Sequence, residues 1–117
     1  MMLEREDLRA HCLSQRGASE DFPFGPEAAV YKVGGKMFAL IPVGPGTSSV
    51  SLKCDPVRAV MLRDTFPAIT AGYHLNKRHW NSIAIDGSVP DDDVFEMIDH
   101  SYELVVASLT RKQREAL

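Results

Sequence analysis

Apolar positions along the chain recur first at helical and then at strand spacing. Over residues 4–16, Leu8, Cys12 and Gln15 share one helical stripe with Leu13 beside it, and Gly17 offers the left-handed conformation that closes a helix end. Residues 18–27 contain Phe22-Pro-Phe-Gly-Pro26, whose two prolines exclude a helix interior or a central strand. A structured loop is expected there, its two phenylalanines capping the edge of the core. Residues 28–33 and 37–43 read as strands joined at Gly34-Gly35, which suits a two-residue hairpin turn and pairs Tyr31 with Phe38. After a second turn at Gly44-Pro-Gly-Thr47, residues 49–54 alternate, with Val50, Leu52 and Cys54 inward and Ser49, Ser51 and Lys53 toward water or a ligand.

Asp55-Pro56 begins a second helix, because the carboxylate accepts from free backbone N–H groups and proline lacks the N–H that would be unsatisfied there. It runs to residue 65, with Val57, Val60 and Met61 as its apolar stripe, Leu62 and Phe66 widening it, and Pro67 ending it. A strand over residues 81–85, with Ile83 and Ile85 on one face, closes at the Asp86-Gly87 turn. Asp91, Asp92 and Asp93 load the start of the last helix with charge that its dipole favours, and Val94, Met97, Ile98, Ser101, Val105 and Leu109 form its buried stripe. Residues 110–117 are polar and basic and are expected to fray or project. The order α-β-β-β-α-β(β)-α, with hairpin-linked strands and separately inserted helices, predicts a two-layer α+β domain in which an antiparallel sheet carries helices on one face.

Composition narrows the field. With 117 residues, 44% hydrophobic and 25% charged, the chain is sized for a single domain spanning its whole length that folds without metal or disulfides. A net charge of −3 argues against a wholly basic nucleic-acid binder, so any polyanion contact has to come from a local patch. Cys12 and Cys54 have neither disulfide-framework nor Cys-x-x-Cys spacing, the opening residues lack a signal-peptide pattern, and no apolar run reaches membrane-spanning length. A cytoplasmic setting is expected, with no membrane role.

Chemistry-bearing side chains concentrate in residues 72–80, Gly-Tyr-His-Leu-Asn-Lys-Arg-His-Trp, which hold the only tryptophan, two of the four histidines and the Lys77-Arg78 pair. This stretch, followed by Asn81-Ser-Ile-Ala-Ile-Asp-Gly87 and by Asp99-His-Ser-Tyr102, resembles the MmcQ/YjbR family in order and spacing. The resemblance covers nearly the whole chain, from the Leu8 helix through Pro23-Phe-Gly25 to the basic tail. It implies a bacterial, cytoplasmic, DNA-binding protein with a two-layer fold likened to secretion chaperones and to frataxins. His74, Lys77 and Trp80 match motif positions of the family.

Cations for phosphates and aromatic planes for stacking are what nucleic-acid binding requires. Tyr73, His74, Lys77, Arg78, His79 and Trp80 supply both, with Lys53 joining them and Lys32 and the tail cations extending the patch. The plainer alternative is that Trp80 anchors the loop while Lys77 and Arg78 are only hydrated. A metal at His74, His79 and a cysteine or His100 lacks ligand spacing, and the acids at residues 91–93 with Glu96 are accounted for by the helix start. His100 and Ser101 do not face each other on a helix, and no phosphate-cradling glycine loop is present, so neither an enzyme nor a cofactor is expected. Two functions stay open: binding of DNA or another polyanion through the motif, or docking of a protein or peptide on the open sheet face or the Phe22–Phe24 loop.

Overall fold

A computed structural model of the chain describes residues 3–46, 48–72 and 75–117. Helix α1 (Arg5–Leu13) precedes four strands, β1 (Ser19–Asp21), β2 (Ala28–Val33), β3 (Lys36–Pro42) and β4 (Ser49–Lys53). Then come α2 (Pro56–Thr65), β5 (Ile69–Ala71), β6 (Trp80–Ala84), α3 (Asp91–Ser108) and a short α4 (Arg111–Glu115). The strands form one antiparallel sheet in the order β1-β2-β3-β4-β6-β5. Helices cover one face, so the fold is the expected two-layer α+β arrangement.

Strand alternation decides which side chains meet those helices. Tyr31, Ala39, Leu52 and Ile83 point into the core, where Leu8 and Cys12 of α1 and Val94, Met97, Ile98 and Val105 of α3 cover them. The stripe read on the last helix is the buried one in full, Ser101 and Leu109 included. Asp55 caps α2 as its sequence requires, its Oδ2 accepting from the Arg58 N–H at 3.1 Å.

Several expectations are corrected. Residues 18–27 are not all loop: Ser19–Asp21 pairs with β2 as an edge strand, and the prolines only end it. Phe22 and Phe24 do not cap the core, being 45% and 67% exposed. Ser51 is buried and shares a 2.8 Å hydroxyl bond with Ser82, so that position is not solvated. The tail folds into α4, capped by Thr110, and Leu117 packs back against the core.

The hairpin register also differs from the sequence reading. Gly34 and Gly35 have φ of 58° and 79°, as a primed turn demands, and Lys32 pairs with Met37. Tyr31, however, pairs with Ala39, because Phe38 is an inserted bulge residue. Its ring turns inward and meets Tyr102 of α3 edge-on at 5.5 Å. The β3–β4 ladder is interrupted at the same place, and Ser101 bridges the gap: Lys53 N–H donates to its hydroxyl at 2.9 Å, and the hydroxyl donates to Phe38 O at 2.5 Å. A buried serine on an otherwise apolar stripe is thereby explained, since both backbone groups would lack partners without it.

Candidate functional site

Residues 72–79 join β5 to β6, and their root is closed by the Gly72 N–H donating to Trp80 O at 2.8 Å. At the tip, Asn76 Oδ1 accepts from the backbone N–H groups of Arg78 (2.9 Å) and His79 (3.3 Å), the local turn to which asparagine is suited. Arg63, on α2, donates from Nη1 to Lys77 O at 2.9 Å and to Asn81 Oδ1 at 3.1 Å. Buried Asn81 in turn donates from Nδ2 to Ala59 O inside α2 at 3.3 Å. The loop is thus tied at its base, at its tip and laterally to a helix.

Lys77 and Arg78 are exposed on this fixed turn, and neither joins an ion pair among the described residues. Lys77 Nζ reaches back to Gly72 O, at 3.4 Å. His79 is half-buried, and its carbonyl accepts from the Cys54 N–H at 2.7 Å. Trp80 lies opposite Lys53 in the β4–β6 pairing, on the face away from the helices with Ser82 and Ala84. It is 9% exposed, which favours an anchor over a stacking platform. Tyr73 and His74 lie outside the described residues. The structure therefore brings together Lys77 with Arg78, and Trp80 with Lys53. It leaves Lys32 two strands away from β4, engaged with Asp21 at 3.1 Å, while tail residue Arg111 is paired with Glu115 and Arg114 donates to Leu109 O.

The sequence reading missed Arg63, Asn76 and Asn81. Asparagine in a turn is a legible signal, whereas the reach of Arg63 from another element has none in the chain order. Also missed is the surface beside them. Val57, Val60 and Met61 of α2, expected to be buried, are 71%, 48% and 62% exposed, while Ala59 is buried and Leu62 and Phe66 are half-buried against the sheet layer. Pro56, these three residues, Arg63 and Arg78 line a shallow groove of about 420 Å³ in which the charged residues are both arginines.

A larger cleft of about 790 Å³ opens at the other edge, between α1 and the loop after β1, walled by Phe22 and Val43 with Tyr31 among its lining. Of its cations, Arg9 pairs with Glu20 and Glu6, whereas Arg5 donates from Nη2 to Gly44 O and its buried Nε has no partner among the described residues. Of the two thiols, Cys12 is pushed up to about 12, by burial first and then by the Asp99 charge, so it is protonated at neutral pH. Burial also raises Cys54. Among the described residues no three of His, Cys, Asp and Glu are grouped to hold a metal, and no helix is long and apolar enough to cross a membrane.

The family model YjbR matches residues 13–104. Escherichia coli YjbR, described as an uncharacterized protein, is 32% identical over 111 residues, covering 95% of this chain and 94% of its own. Bacillus subtilis YyaQ, also described as uncharacterized, is 30% identical over 117 aligned positions, covering 88% and 98%. The crystal structure of Deinococcus radiodurans DR2400, a DUF419 domain, superposes with a TM-score of 0.91 at 38% identity, covering 98% of this chain and 88% of that one. A Pseudomonas syringae structure at 23% identity, covering 87% of this chain and 98% of its own with a TM-score of 0.76, shares the fold.

Proposed function

The chain belongs to the YjbR family, and we propose that it is a non-catalytic binding protein that holds a polyanionic partner at the corner between the 72–79 loop and α2. Lys77 and Arg78 take the phosphates or carboxylates of that partner, and Arg63 stands behind them. The carrying observation is that both cations are exposed and, among the described residues, in no ion pair, on a turn whose backbone is fixed by Asn76 and Arg63. A fixed turn loses little conformational entropy when a ligand arrives, so the charges are presented ready for use. A non-catalytic role is supported by the polar groups a nucleophilic mechanism would need. Ser101 is bound to two backbone groups, and the Cys12 thiol is held protonated. Two unpaired cysteines fit a reducing cytoplasm.

The test is a binding titration against duplex DNA, single-stranded DNA and polyglutamate at low and high salt. Affinity is expected to fall with salt, and Lys77→Ala with Arg78→Ala should lower the slope of log affinity against log salt by roughly 2 for DNA. Folding stability should stay within about ±0.5 kcal/mol, as for other surface changes. Absence of measurable binding to every polyanion at ~50 mM salt, where the electrostatic term is strong, defeats the proposal.

A further inference from the structure

Helix α2 is apolar on two opposite sides, and only one of them is covered. Ala59, Leu62 and Phe66 turn toward the sheet, where Asn81 reaches the Ala59 carbonyl. Val57, Val60 and Met61, spaced i, i+3, i+4, form a continuous ridge in solvent. Three adjacent large apolar side chains exposed by about half or more on one helix face form a contiguous apolar patch, the kind of surface that marks interaction sites when it is rimmed by polar residues. The groove along this ridge ends at Arg63 and Arg78, so apolar surface and positive charge are contiguous.

We propose that this groove seats an acidic amphipathic helix of a partner protein, its apolar stripe laid on Val57, Val60 and Met61 and its carboxylates meeting Arg78 and Lys77. The inference rests on the polyanion reading above and names its partner class. Helix-in-groove recognition needs an apolar floor for side chains spaced over about two turns and a polar rim that fixes register. Both are present: the floor runs from Pro56 to Met61, and the rim is cationic. A nucleic acid would satisfy the arginines through its phosphates and leave the ridge in water, forgoing the burial that drives association. A second copy of the chain docked on the same groove would bring no carboxylate from that groove's own lining, because its charged residues are both arginines.

The experiment uses the full chain and two synthetic peptides of about 18 residues, long enough to hold helical structure. One carries leucines on one helical face and glutamates on the other; the second has the same composition with the leucines spread around the helix. Duplex DNA is the third probe, and sedimentation reports self-association. The amphipathic peptide is expected to bind at least tenfold more tightly than its control. Val57→Gln with Met61→Gln should erase that difference without altering the circular dichroism spectrum, because both side chains are exposed. Lys77→Ala with Arg78→Ala should weaken both peptides and reduce their salt dependence. Equal affinity for the two peptides, or tighter binding of DNA that ignores the α2 changes, overturns this inference and leaves the polyanion reading standing. A dimer dissolved by Val57→Gln with Met61→Gln, without peptide binding, assigns the ridge to a second copy and also overturns it. Salt-insensitive failure to bind all three probes removes both readings.

Discussion

Single residues hold this fold together where regular structure lapses. Ser101 closes the ladder that the Phe38 bulge opens, so Ser101→Ala leaves two buried backbone groups without partners. A loss of about 2–4 kcal/mol in urea unfolding is expected from the usual penalty for such groups. A midpoint matching wild type would mean that Lys53 and Phe38 close directly on one another. Gly72 is a second such position, for reasons of space and not of φ. A Cβ there would sit 2.8 Å from Trp80 Cβ and 3.2 Å from the Trp80 carbonyl oxygen, against backbone that the sheet fixes. Gly72→Ala should therefore destabilise by about 1–3 kcal/mol, as overpacking does. Retained melting temperature in that variant would show that β5 shifts to accommodate the methyl. Gly72 was legible as part of the motif, but its contact with Trp80 depends on a strand pairing that residue order does not state.

Elements are joined here by polar side chains that reach across from a neighbour. Arg63 ties α2 to the loop, and Asn81 ties β6 to α2. In Arg63→Met the aliphatic packing is kept and both bonds are lost, so amide exchange of residues 76–79 should accelerate, with a global loss of about 1–2 kcal/mol. Unchanged exchange in the loop would show that Asn76 alone holds it. The α2 case also shows why amphipathicity can mislead. Val57/Val60/Met61 and Ala59/Leu62/Phe66 are both apolar stripes at a period of 3.6, and the one without a small residue is left outside. The small Ala59 lets the helix backbone approach the sheet closely enough for the Asn81 bond, and that approach is a property of the packed pair of elements.

For the whole molecule, two of the three carboxylates held low lie at the edge of the sheet remote from the loop, the third being Asp86, bonded by Ser88 in the turn after β6. Glu20 is held below its ordinary 4.5 by hydrogen bonds from Arg9 and Tyr31, and Asp21 is lowered by Lys32. A carboxylate whose folded value is depressed adds stability that is fully present above its unfolded value and is lost as pH falls through the folded one. Stability should therefore decline once pH drops below about 4.5, and Glu20→Gln should remove part of that decline. Melting curves between about pH 3 and 6 measure it, and an unchanged acid limb in the variant would mean that Glu20 does not contribute. The binding corner shares no residue with this network, so polyanion affinity should be preserved in Glu20→Gln.

The order of the major elements was determined by residue type and spacing alone, with β1 and α4 missed and β5 left open. Asp55-Pro56 starts α2, Gly34-Gly35 turns the hairpin and the α3 stripe faces inward, because capping, positive φ and apolar periodicity act over a few residues. The motif could also be located by its density of cations and aromatics. What the order of residues could not decide were matters of long-range company. Three short-range signals alone would have left Phe38 paired with Tyr31, Trp80 without a face and α2 with its Val57/Val60/Met61 stripe buried. Only the tertiary structure placed them, since a bulge, a sheet face and a choice between two helix stripes depend on which distant groups remain to be satisfied or covered.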